Sequence, residues 1–209
     1  MPSLGTMKTR IALELDRDNL TDAVSAAIND AIAEFASDRF WFNEGRDLTF
    51  STVVAQRIYT ATDAPWIGTV IEIDGLFIMV GGNNRPLDRV SPEEIEWKAD
   101  NSAARGAPYE YAYFGEQIWL YPLPDRAYTV RALAHYRLSP LTSDADSNAW
   151  TTQAERLIRR RAKQLIFAET VLDANQAVAM QPLIEQELSL LKAESSRRRA
   201  DGIVQPSGF

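Results

Sequence analysis

The chain contains no cysteine and a single histidine, His135. The first absence excludes a disulfide framework, a thiolate metal site and a cysteine nucleophile. The second leaves His135 without another imidazole or thiolate to complete a metal site. No apolar run approaches the ~18 residues that a membrane span needs. Met1 to Gly5 lack the apolar core of a signal peptide, so a soluble protein made in a cytoplasm is expected. Gly81-Gly82 is not followed by Lys-Ser or Lys-Thr at phosphate-loop spacing, no dinucleotide fingerprint is present, and no serine has the context of a nucleophile elbow. The expectation is therefore no metal, no cofactor and no enzyme. A hydrolase would have to use carboxylates alone, and no pair stands out. Asp144 and Asp146 read as turn residues rather than a cation site. His135, near Arg131 and Arg137 on a strand, reads as a surface residue.

What the chain does have is length and apolar content: 209 residues, 45% hydrophobic, with a formal net charge of -7. That is enough for one large domain or two small ones. An acidic chain is a poor candidate for gripping nucleic acid over a broad face. It is compatible with an acidic lumen through which a polyanion slides.

The dominant pattern lies from Trp150 to Arg199. Ala154, Leu157, Ile158, Ala162, Leu165, Ile166, Ala168 and Leu172 recur at spacings of three and four, one apolar stripe on a helix. Thr152 and Glu155 have capping-box spacing at its start. Asp173-Ala174-Asn175 weakens the pattern, which resumes with Leu183, Ile184, Leu188 and Leu191, giving two helices or one broken near Asn175. Pro182 would kink the second unless it lies in the first turn. Arg159-Arg160-Arg161 reads as a solvated face, since consecutive helical residues point about 100° apart. A second amphipathic helix runs from Leu20 to about Ser37 through Val24, Ala27, Ile28, Ala31, Ile32 and Phe35, with Asp18-Asn19 as its cap. A shorter one runs from Met7 to Leu15, capped by Thr6. Phe40-Trp41-Phe42 reads as a helix exit that wraps the core.

Between these helices the period changes to two. Strands are expected at Leu48 to Val54, Arg57 to Thr60, Val70 to Ile73, Leu76 to Val80, Tyr109 to Phe114, Gln117 to Tyr121 and Tyr128 to Leu138. Ser91-Pro92-Glu93-Glu94 is a helix start, with Ile95 and Trp97 facing inward. The fold class is α+β: terminal helices forming an antiparallel bundle, an inserted mainly antiparallel β lobe, and an extended C-terminal arm. The expected divisions are 1–44, N-terminal helices; 45–138, β lobe with a short helix near 92–99; 139–199, linker and C-terminal helices; and 200–209, the arm.

Several stretches together resemble the head-to-tail adaptor, or connector, proteins of tailed bacteriophages. They are Arg10 to Leu15 with Asp18-Asn19-Leu20, Ala26 to Ile32, Arg39-Phe40-Trp41-Phe42-Asn43-Glu44, Ser91-Pro92-Glu93, Gly106-Ala107-Pro108, Gly115 to Asp125, Tyr136-Arg137, and Asn148-Ala149-Trp150. The Phe-Trp-Phe-Asn-Glu run and the Tyr-Pro-x-Pro-Asp turn are the most specific. The resemblance implies a structural protein of the virion neck, assembled in the host cytoplasm. It implies a dodecameric ring under the portal protein, a lengthened channel through which packaged DNA passes without sequence-specific binding, and a surface for tail or nozzle proteins. It makes the C-terminal arm the portal-docking element, with Arg197, Arg198, Arg199, Ile203, Val204, Pro206 and Phe209 as its contacts.

A second reading makes the β lobe a carbohydrate- or peptide-binding module. Tyr109, Tyr111, Tyr113, Trp119 and Tyr121 would line one flat aromatic face, against the alternative that they fill the lobe's core.

Overall fold

The computed structural model describes residues 2–17, 19–101 and 103–199. The chain separates into two compact units, one made of residues up to Phe42 with those from Leu138 on, the other of Asn43–Arg137.

The first unit is helical. Its elements are α1 (Leu4–Leu15), α2 (Thr21–Phe35), α4 (Ala149–Thr152), α5 (Glu155–Leu165) and α6 (Ala174–Arg199). Helix α1 starts earlier than expected because Ser3, not Thr6, is its cap. Ser3 N–H donates to Thr6 Oγ1 at 2.7 Å, and Thr6 N–H donates back to Ser3 Oγ at 3.4 Å. Two more free N–H groups of the first turn find backbone acceptors: Leu4 donates to Asp146 O at 2.9 Å and Gly5 to Asp144 O at 3.0 Å. That approach requires glycine, since a Cβ on Gly5 would lie 2.9 Å from the Asp144 Cβ. No side chain caps α2, which follows Leu20; Asp18 lies outside the described residues.

The capping box expected at Thr152 and Glu155 does not form. Asn148 caps α4 instead, accepting from Trp150 N–H at 2.8 Å and donating its own N–H to Thr151 Oγ1 at 3.1 Å. Helix α5 widens into a π turn over Ile166–Val171 and stops at Leu172, which is left-handed (φ 58). Leu172 was expected in the core and is 77% exposed, because the reversal turns its side chain out of the stripe. Leu165 is half-buried. Asp173 then caps α6, accepting from Gln176 N–H at 3.1 Å. Pro182 sits well inside α6, not in its first turn. A proline there removes one helical bond. Donors from α5 bond backbone on either side of it: Gln164 Nε2 to Ala177 O at 3.1 Å and Arg160 to Leu183 O at 2.8 Å. One apolar cluster holds the unit, built from Met7, Ile11, Val24, Ile28, Phe35, Phe40, Trp150, Leu157, Ile158, Ile184 and Leu191 among others.

The second unit holds two four-stranded sheets. One has β1 (Glu44–Ser51), β8 (Thr129–Tyr136), β3 (Val70–Val80) and β4 (Asn83–Pro86) in that spatial order. The other has β2 (Ile58–Tyr59), β7 (Gln117–Tyr121), β6 (Glu110–Phe114) and β5 (Asp88–Arg89). Every pairing is antiparallel except that of β5 with β6. Strand β3 is one strand, not the two runs expected; Asp74-Gly75 is absorbed by a register shift against β8. Ile73, Leu76, Ile78 and Val130 of one sheet share a core with Tyr59, Tyr111, Ile118 and Leu120 of the other. Helix α3 (Pro92–Asn101) starts at Ser91, whose Oγ accepts from Glu94 N–H at 3.2 Å, and buries Ile95 completely. Lys98 ties it to β6 through Glu110 at 2.6 Å and to Glu94 at 2.8 Å.

Candidate assembly surface

Helix α5 is the electrostatic hub of the helical unit. Its three consecutive arginines leave the axis about 100° apart, and each reaches a different helix. Arg159 pairs with Glu14 of α1. Arg160 pairs with Glu187 of α6 at 3.2 Å, and Arg161 with Glu34 of α2 at 2.7 Å. Lys163, one turn on from Arg159, also reaches Glu14, at 2.6 Å. The run expected to be a solvated face is spent on clamping neighbours. Burial, then the nearby Arg159 and Arg160 charges, lower the Lys163 pKa.

The C-terminal turn of α6 is pinned in a similar way. Ser195 Oγ accepts from Trp41 N–H at 3.3 Å and donates to Leu191 O at 2.8 Å. Arg198 lies 4.4 Å over the Trp41 ring and bonds Glu194 at 3.0 Å. The aromatic exit of α2 is itself packed, with Phe40 stacked on Phe42 and both edge-on to Trp150. Of the residues expected to dock on a portal, Arg198 is thus occupied within its own unit. Arg199 closes α6, and its side chain is not among those described. Ile203, Val204, Pro206 and Phe209 lie outside the described residues.

Arg197 lines an open groove of about 360 Å³ between α6 and the start of α5. Its other walls are Thr152 to Leu157 on one side and Glu187, Leu190, Leu191 and Glu194 on the other. Along α6 the buried stripe of Ala177, Ile184, Leu191 and Ser195 is backed by outward-facing Val178, Leu183 and Leu190. Sequence reading did not single out Arg156, which shares the groove with Arg197. Its only signal was a position off the apolar stripe.

In the β unit the five aromatics do not form one face. Register pairs Tyr111 with Leu120 and Tyr113 with Ile118, which places these four on the shared core side. Trp119 pairs with Ala112 and Tyr121 with Glu110 on the opposite side, where Ala112 and Tyr121 cluster with Ile95 of α3. Tyr109 is exposed. His135 is buried, at 2% exposure, and not on the surface. Strand β8 is central in its sheet, and His135 has Glu44 and Glu72 opposite it on the two flanking strands. Trp97 is 67% exposed rather than inward, because Ile95 takes the buried side of the short helix α3.

Among the described residues no group of three or more metal-ligand side chains is gathered, and no helix is long and apolar enough to cross a membrane. The geometry described above is that of joints and exposed contact faces. No curated protein matches the chain. A family model does, described as SU10 adaptor protein, across residues 2–206. The match spans both compact units rather than one, and with it the chain belongs to the SU10 adaptor protein family, as a structural adaptor of the phage virion neck that associates with head and tail components.

Proposed function

We propose that the protein forms a dodecameric ring beneath the portal, prolongs the DNA channel and offers the surface on which tail or nozzle proteins assemble. The helices of the first unit act as an antiparallel bundle packed side by side around that ring, with the β lobe as the insertion at 45–138. Residues 200–209 are the docking arm, through Ile203, Val204, Pro206 and Phe209. No step is catalytic. The observation that carries the reading is the family match over residues 2–206.

Two features support it. Helix α6 keeps Leu183 and Leu190, two turns apart on one side, outward, an apolar strip that a solitary subunit does not need. Arg198, held on Trp41, fixes the direction of the last turn from which the arm departs. One arm with three apolar residues binds weakly. A ring of arms binds tightly, because the first to dock raises the effective concentration of the rest. Deletion of residues 200–209 should leave a folded protein that no longer joins DNA-filled heads. Normal occupancy of the truncated protein on heads, counted by electron microscopy, would refute the docking role.

A further inference from the structure

Two exposed surfaces, one in each unit, have opposite chemistry. The groove between α5 and α6 contains three carboxylates, and each is matched inside its own unit. Glu155 pairs with Arg10 at 3.1 Å and Arg159 at 3.2 Å, Glu187 with Arg160 at 3.2 Å, and Glu194 bonds Arg198 at 3.0 Å. Its two remaining cations, Arg156 and Arg197, have no carboxylate partner among the described residues. With the acids neutralised, the groove presents two guanidinium groups beside Leu190, which is 56% exposed.

Helix α3 presents the complement. Glu93, Glu96, Trp97 and Asp100 stand at i, i+3, i+4 and i+7, so they share one face. All four are exposed, and Trp97 is the large apolar residue at the centre. Hydrogen bonds to its own backbone N–H and to Ser91 hold the Glu93 carboxyl below its ordinary pKa, so it stays charged at neutral pH. A solvent-facing tryptophan ringed by carboxylates is costly in a free subunit and is the residue type that anchors interfaces.

We propose that α3 of one copy seats Trp97 in the α5–α6 groove of the next copy, against Leu190, with Glu93, Glu96 and Asp100 facing Arg156 and Arg197. This rests on the ring assembly proposed above and names the contact between its subunits. The occupant is a second copy because the chain carries both halves of the match, and both Trp97 and Leu190 stand exposed among the described residues. The two halves are different surfaces, so the contact is head-to-tail, the kind that closes into rings. A guanidinium over an indole adds to the charge pairing, as Arg198 over Trp41 already shows in this protein. One such contact is small beside a stable dimer interface, roughly 1,600 Å². It holds only when ring closure engages every subunit twice.

The absence of cysteine makes the test clean. Full-length Gln153→Cys (groove) and Glu96→Cys (α3), carrying different tags, are mixed, assembled on heads and treated with a short bis-maleimide. A dimer bearing both tags is expected, and it requires two different chains. Thr62→Cys in place of Glu96→Cys should give little. Adding Arg156→Glu and Arg197→Glu to the groove chain should lower the yield about tenfold, and Glu93→Lys with Asp100→Lys on its partner should restore it. The contact is wrong if the two-tag dimer does not exceed the Thr62→Cys control, if the charge reversal has no effect or no rescue, or if Gln153→Cys links only to another virion protein. Heads that carry normal adaptor occupancy without this cross-link sink the contact and leave the ring reading standing. Normal attachment by the protein lacking residues 200–209 sinks the docking reading alone.

Discussion

The helical unit and the β unit solve the same problem with different parts. In the β unit the backbone chooses the neighbours. Ladder bonds place β8 between β1 and β3, and side chains such as Ile78, Val130 and Leu120 fill the space that results. In the helical unit each helix satisfies its own backbone, so nothing in the main chain says which helix packs where. Apolar stripes supply the driving force, but a stripe is nearly as content against one partner as another. The specification comes from charge. Arg159, Arg160 and Arg161 each reach across to a different neighbouring helix, through Glu14, Glu187 and Glu34. Charged side chains that look interchangeable in the sequence are addresses in the helical unit. The Arg131–Asp47 pair of the β unit, with Asp47 82% exposed, adds little to a register already set.

The largest effect should come from the force the two units share. Leu157→Ala on α5 and Leu120→Ala on β7 remove side chains that are both fully buried. Each should cost about 2–5 kcal/mol in urea unfolding, depending on how far the site collapses. If Leu157→Ala costs under ~1 kcal/mol, apolar packing is not what holds the helices, and the comparison fails at its base.

The sharper contrast is between two arginines. Arg159→Ala leaves Glu14 with Lys163 alone and Glu155 with Arg10 alone in a half-buried network, and should cost about 1–3 kcal/mol. Arg131→Ala should cost less, under ~1 kcal/mol, because Asp47 is in solvent and the guanidinium otherwise only lies over the Phe77 ring, 5.1 Å away. Added salt should narrow the first cost only partly, since the Arg159 side chain is 19% exposed. Equal costs in thermal unfolding would show that charge specifies nothing special in the helical unit.

Much of this was legible in the sequence, and the misses share a cause. Spacings of three and four located α2 and the α5 stripe, and alternation located β6 and β7, because local periodicity reports which side of an element is buried. Periodicity is blind to events that depend on distant residues. Arg159 and Glu14 are far apart in the chain, so nothing local distinguishes the spent Arg159 from the free Arg156. His135 looked solvent-facing beside two arginines, and only the central place of β8 buries it. The tyrosines and tryptophan of β6 and β7 looked like one face, and the register divides them between two. Ser3 is a less obvious cap than Thr6 because the backbone acceptors that anchor the start of α1 come from Asp144 and Asp146, remote in the sequence.

That loop offers a test by pH. The Asp146 carboxylate accepts from Ser143 Oγ at 2.7 Å, Ser143 N–H at 2.8 Å, Thr142 N–H at 2.7 Å and Thr142 Oγ1 at 3.0 Å. These bonds, the Ser143 hydroxyl first, hold its pKa well below the usual carboxylate range. The folded value is the lower one, so its contribution is complete above the unfolded pKa of ~4 and is lost as pH falls below it. Asp146→Asn should lower the melting temperature at pH 7 by more than at pH 3. A parallel shift at both pH values would mean that the loop is held by its backbone bonds to α1 rather than by this carboxylate.

The smallest effect should have the opposite sign. Leu172 belongs to the α5 stripe by spacing, yet it occupies the left-handed position that ends the helix, with φ 58 and 77% exposure. Two terms compete there. A side chain in left-handed backbone costs ~1–2 kcal/mol, and glycine removes that cost. Glycine also frees the unfolded chain, which takes back ~0.5–1 kcal/mol. An exposed leucine forfeits little burial, so the balance favours glycine, the residue that helices most often use at this position. Leu172→Gly should therefore raise the stability of the free subunit by about 0.5–1 kcal/mol in urea unfolding, whereas Leu157→Gly should lower it by more than Leu157→Ala. A loss above ~1 kcal/mol for Leu172→Gly would mean that the residue is packed after all. The stripe would then run unbroken through the reversal, and the helical unit would be held by one continuous seam rather than by a hub with addressed spokes.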